Sequence, residues 1–143
     1  MNNSDSTAQR TIEERILHDL GISHGNIELD GIKFNFDGIS GDTIYEVYAG
    51  IDKLLSGQQH KISQDILKMV LYEKMIKKQI SKVLIVIDNK IHDILSYEKH
   101  KSWKSRAIIE YGIEVRLVSI TPEERLMLEK AKEAQGGKFK NPS

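Results

Sequence analysis

The run Val83-Leu84-Ile85-Val86-Ile87 most constrains what this chain can fold into. A continuous aliphatic run of this length reads as a strand, and successive side chains of a strand point to opposite faces of a sheet. Both faces are then apolar, which suits a central or parallel position rather than a half-solvated edge. Such a strand calls for helices packed on the sheet. At five residues the run is far too short to span a bilayer. The chain has 143 residues and suits one domain able to bury a sizeable core. It contains no cysteine, which excludes disulfides and Cys-based zinc sites. The opening MNNSDSTAQR has neither a basic nor an apolar leader region, so a cytoplasmic, non-membrane protein is expected.

The other elements fall in order around that strand. Residues 1–8 are polar and expected to be a disordered tail. Residues 9–20 read as a helix stopped by Gly21, with Ile12, Ile16, Leu17 and Leu20 as its apolar stripe. Asn26–Leu29, the Asp30-Gly31 pair and the run from Ile32 predict a hairpin, because Asp-Gly between short strand-forming runs favours a tight turn. Thr43–Ile51 alternates as a third strand. Residues 57–80 carry the longest helical pattern, with Ile62, Ile66, Met69, Val70 and Ile76 on one side. After the central strand come a helix over 98–111 closing at Gly112, the strand IEVRLVSI, and a helix opened by Thr121, Pro122 and Glu124 in capping-box order. The single domain spans 9–135, and 136–143 is expected to be a tail.

Two acids stand out in the meander. Asp37 closes one strand run and Glu46 sits within the next, beyond a turn at Gly38–Gly41 that would bring the two carboxylates together. Buried acids are costly unless paired, and a divalent cation commonly fills that role where two converge. Each has a plainer explanation. Asp before Gly is a common turn pair, whereas Glu within a strand is harder to explain without a partner. Glu13 falls within the apolar stripe of the first helix, where the alternative is a first-turn acid favoured by the helix dipole.

The stretch from Phe34 to Lys68 resembles the active-site hairpin of the PD-(D/E)XK nuclease superfamily, the restriction-endonuclease-like fold. The element order over residues 9–90 reproduces its αβββαβ core, and the remaining strand and helix would extend the same mixed, helix-flanked sheet as a C-terminal βα unit. The resemblance implies Mg2+ or Mn2+ at Asp37 and Glu46, with the Val47 carbonyl as a further ligand and Glu13 as an extra carboxylate. It also implies a catalytic lysine two positions after the Glu, where this chain has Tyr48. A tyrosine hydroxyl can donate a hydrogen bond but carries no positive charge. The superfamily lysine can instead move to the following helix, which makes Lys61 the first substitute and Lys53 or Lys68 the next. Gln58 and Gln59, with His60 and Lys61, open that helix where substrate phosphate would be met.

Charge is segregated along the chain. Residues 1–57 hold ten acids against four Lys/Arg, and the remainder holds eleven against seventeen. An acidic half with candidate metal ligands and a basic half suits a small nuclease acting on DNA or RNA, for which a homodimer would supply one site per strand. The alternatives are a catalytically inactive domain of the same fold used for nucleic-acid or protein binding and assembly, and an unrelated α/β protein whose acids are incidental. No Gly-rich phosphate loop is present, and the five histidines show no paired ligand spacing. Asp88, at the end of the central strand, is expected to be no more than its polar end.

Overall fold

The computed structural model describes residues 4–140, with side chains described for 7–134. The elements are α1 (Ser4–Asp19), β1 (Ser23–Leu29), β2 (Ile32–Ser40), β3 (Thr43–Tyr48), α2 (Ser56–Ile76), β4 (Ser81–Val86), α3 (Asn89–Ile94), α4 (Trp103–Glu110), β5 (Ile113–Leu117) and α5 (Pro122–Lys140). They form an α/β protein built on one five-stranded mixed sheet in the order β1-β2-β3-β4-β5. The first two junctions are antiparallel and the last two parallel.

The continuous aliphatic strand is β4, and its two faces feed two separate cores. Leu84 and Val86 join Phe34, Phe36, Ile44, Tyr48, Ile62, Ile66 and Met69 beneath α2, together with Ile91, Leu95 and Ile108 from α3, its following turn and α4. Val83, Ile85 and Ile87 join Ala8, Ile12, Ile16, Leu17, Leu128 and Ala131 beneath α1 and α5. Burying these side chains removes apolar surface from water at roughly 25 cal/mol per Å², the main term that favours the three-layer arrangement. Arg15 ties α1 to α5 through Glu124, its Nε donating to a carboxylate oxygen at 2.7 Å.

Local signals explain most boundaries. Asp30 and Gly31 both have positive φ, 52° and 77°, the backbone that a two-residue hairpin turn requires. Thr121 Oγ1 accepts the Glu124 N–H at 3.0 Å while the Glu124 carboxylate accepts the Thr121 N–H at 2.9 Å, the reciprocal cap expected from the sequence.

Some expectations need correction. Residues 4–8 are helical rather than a tail, because Ala8 is buried beneath the sheet and holds the first turns of α1 in place. Residues 1–3 lie outside the described residues. At the other end, α5 continues to Lys140 instead of stopping near 135, and 141–143 lie outside the described residues. The single helix expected over 98–111 is shorter and begins at Trp103, capped by Ser102, whose side chain accepts the Ser105 N–H at 3.1 Å. The short α3 was not foreseen. It exists because Asp88 turns the end of β4 into a cap, accepting the Lys90 N–H at 2.8 Å and the Ile91 N–H at 3.2 Å. No helix among the described residues is long and apolar enough to cross a membrane.

Candidate functional site

The site begins with an irregularity in β2. On its β1 side, Ser23 pairs with Ile39 and Gly25 with Phe36, so β2 carries one extra residue around Asp37-Gly38. A bulge of this kind bends a strand and re-aims a side chain, and bulges are over-represented next to active sites. Gly38 suits the position because a Cβ there would lie 2.3 Å from Ile22 Cγ2.

On its other edge β2 pairs with β3 at Ser40–Thr43, Ile39–Ile44 and Gly38–Tyr45, and the ladder stops there. Beyond it, side chains take over from backbone. The Asp37 N–H donates to Glu46 Oε1 at 2.7 Å, and the Val47 N–H donates to Asp37 Oδ2 at 2.8 Å. The two acids foreseen from the sequence thus brace the fork between the strands. Glu46 is only 1% exposed although it lies mid-strand.

Each layer adds charge to this fork. From α1, Glu13 Oε2 accepts the Ala49 N–H at 3.2 Å. From α2, Lys68 Nζ lies 2.8 Å from Glu46 Oε2 and 3.9 Å from Asp65, while Lys61 Nζ bonds Asp65 at 3.1 Å. Four carboxylates and two ammonium groups are therefore gathered at one end of the sheet. A cleft of about 380 Å³ lined by Arg10, Glu13, Glu14, Leu17, His24 and Asp37 opens the cluster to solvent.

The acids feel their crowding. Burial, and then the negative charge of Asp37 and Asp65, push Glu46 up to about 8 despite Lys68. Burial followed by Asp37 raises Glu13 to about 7, against the opposing pull of the Ala49 N–H. Lys61 moves upward as well. Its partial burial acts to lower it, but the neighbouring Asp65, Asp37 and Glu46 together outweigh that.

Among the described residues, no three acid or histidine side chains are gathered closely enough to form a ready ion cage. The arrangement present is a smaller one, the Asp37 and Glu46 carboxylates linked across the strand fork. That suits a hard ion such as Mg2+, which keeps several waters and asks the protein for only one or two carboxylates. Asp37 and Glu46 would hold it, with Glu13 within the same field.

The remaining sequence candidates lie elsewhere or play other parts. Tyr48 is buried in the α2-side core and its ring lies over Gly50, where a Cβ would meet the hydroxyl at 2.0 Å. Of the candidate lysines, Lys68 rather than Lys61 lies directly against Glu46, and Lys53 is an exposed loop residue beside Gln59 and Trp103. Gln58 caps α2 by accepting the Leu55 N–H at 2.7 Å, and Gln59 Nε2 donates to the Leu54 carbonyl at 3.2 Å. Asp65, Arg10 and His24 escaped the sequence reading. Asp65 had a usable signal, since it lies three residues after Ile62 and four before Met69, an acid within the apolar arc of α2.

No family model matches the chain, and neither a curated protein nor a solved structure matches it.

Proposed function

We propose that this chain is a PD-(D/E)XK-type domain that acts in the cytoplasm on DNA or RNA, hydrolysing phosphodiester bonds with Mg2+ or Mn2+ at Asp37 and Glu46. One observation carries the proposal. An acid pair braces a strand fork, with Glu46 buried mid-strand, and two α2 lysines face the same cluster. When bound, the ion would supply Lewis-acid stabilisation of the phosphate and a water of lowered pKa. The chain's own part is positioning and charge. The Glu46 carboxylate is held by the Asp37 N–H and the Asp37 carboxylate by the Val47 N–H. Lys68 and Lys61 bring from α2 the positive charge that Tyr48 does not bring from the strand, close to where negative charge would grow. Arg10 and His24 line the approach to Asp37, where they would meet a phosphate backbone.

A second reading has its own observation. Lys68 already occupies Glu46 at 2.8 Å, and a buried tyrosine stands at the strand position of the usual lysine. In that reading the cluster is a structural ion network, and the fold serves nucleic-acid binding or assembly. Cleavage of supercoiled plasmid and of single-stranded RNA with Mg2+ or Mn2+ tests the two. The catalytic reading expects ion-dependent nicking that falls more than 100-fold in Glu46→Ala and in Asp37→Asn. Wild-type inertness with both ions, despite measurable Mn2+ binding by electron paramagnetic resonance, would sink it in favour of the second. Absence of both cleavage and Mn2+ binding would leave the acids incidental.

A further inference from the structure

The segment from Tyr97 to Arg106 lies outside the acid cluster and has a chemistry of its own. It carries Lys99, Lys101, Lys104 and Arg106 against the single acid Glu98. Among the described residues neither Lys101 nor Lys104 has a carboxylate partner. Lys101 instead lies 4.4 Å from the centre of the Tyr97 ring, and Lys104 lies 5.4 Å from that of Trp103. Trp103 is 75% exposed at the start of α4, an unusual position for the largest apolar side chain. It stands between two clefts. One, of about 270 Å³, is lined on its polar side by Lys53, Gln59, His100 and Ser102. The other, of about 310 Å³, runs along Leu67, Val70 and Tyr111. Lys104 Nζ reaches Gln59 Oε1 at 3.3 Å, which ties this lobe to the first turn of α2, the helix that carries Lys61 and Lys68.

We propose that Trp103 is a stacking platform for an unpaired base, and that Lys101, Lys104 and Lys53 hold the flanking phosphates, so that the domain binds single-stranded nucleic acid. The inference deepens the nucleic-acid reading above and rests on it. Its warrant is charge complementarity. Lys99 and Arg106 are paired with Asp93 and Glu110, but an exposed indole flanked by Lys101 and Lys104 matches a strand, whose every base has a π-face and whose every link has a negative charge. A partner with a purely apolar contact face would fill the apolar cleft and leave those lysines unanswered.

The chain has one tryptophan, so its emission reports on Trp103 alone. The full-length protein is titrated in EDTA, which prevents cleavage, with oligothymidylate or oligouridylate of about 12 nucleotides, within the span of one such site. Blunt duplex and polyphosphate serve as comparisons. Saturable quenching by the single strands, absent with polyphosphate, is the expected result. Anisotropy of labelled oligonucleotide should show Trp103→Leu weakened by about 10-fold and Trp103→Tyr near wild type, on the order of one lost base stack. Lys101→Ala with Lys104→Ala should flatten the dependence on salt. Duplex binding without quenching overturns the stacking site while leaving the nuclease reading intact, and absence of all binding overturns both. An emission shift that follows protein concentration with no oligonucleotide present would assign the surface to a second copy of the chain and overturn the proposal.

Discussion

Glu46 and Lys68 form the pair on which the site depends most. A buried acid that loses its cation is left as an uncompensated charge, which costs more than the intact pair contributes. Lys68→Met is therefore expected to destabilise the domain by about 2–4 kcal/mol in urea unfolding carried out above the raised pKa of Glu46, about 8, where that acid is ionised, a range typical of broken buried pairs. Adding Glu46→Gln should recover much of that loss, since an amide carries no charge to strand. Strictly additive single and double variants would show that the two side chains do not interact. Glu46 was legible in the sequence because an acid in the middle of a strand has few ordinary explanations. Lys68 was harder to rank. Which lysine of a helix reaches a strand acid depends on how the helix is rotated on the sheet, and Lys61 and Lys68 are both compatible with the sequence spacing. Gln58, expected where the helix meets substrate phosphate, also closes the first turn of that helix by accepting the Leu55 N–H.

Among the elements, the fate of β4 depends on the residue that ends it. Asp88 is 3% exposed and accepts hydrogen bonds from four directions: Lys90 and Ile91 in α3, the Asp52 N–H at 3.2 Å, and Arg125 Nη1 in α5 at 3.1 Å. Its burial acts to raise its pKa, but these donors together hold it below the usual carboxylate range. Asp88→Ala removes a cap and leaves buried donors unsatisfied, so a loss of about 2–3 kcal/mol is expected. The exposed cap Thr121→Ala should cost about 1 kcal/mol in the same assay. Equal losses would mean that the extra bonds of Asp88 contribute nothing. The order of the strands and of the longer helices, the hairpin turn and the last-helix cap were readable because each depends on neighbours in sequence. The bulge at Asp37-Gly38 and the cap of α3 were not. The bulge depends on the cross-strand register of β2 on β1, which the order of residues does not record. The α3 cap is local, Asp88 accepting from Lys90 and Ile91, but it opens a helix of only six residues, too short for a periodic signal.

For the whole molecule, the raised acids set a pH dependence. Glu13 near 7 and Glu46 near 8 keep protons in the folded, ion-free state that the unfolded chain has released above about pH 4.5. The folded state then binds more protons, so stability falls as pH rises from about 5 to about 8. Glu73, Asp88, Glu114 and Glu124 are shifted downward and act in the opposite sense. Their contribution is present above the unfolded carboxylate range and is lost as pH falls below it. Stability should therefore peak in mildly acidic solution, near pH 5, when measured by urea unfolding in EDTA. Glu46→Gln should flatten the decline above that maximum. A wild-type profile that rises steadily from pH 5 to 8 would contradict the crowding of the acid cluster. The sheet's two covers also differ in timing. The α2 face is built from residues interleaved with its strands, whereas the opposite face waits for Leu128 and Ala131 of α5. During synthesis the outward side of Val83 and Ile85 thus stays only partly covered until α5 has left the ribosome. That interval, after the sheet can form and before α5 arrives, is when the nascent chain is most open to chaperone capture and to sticking to its neighbours.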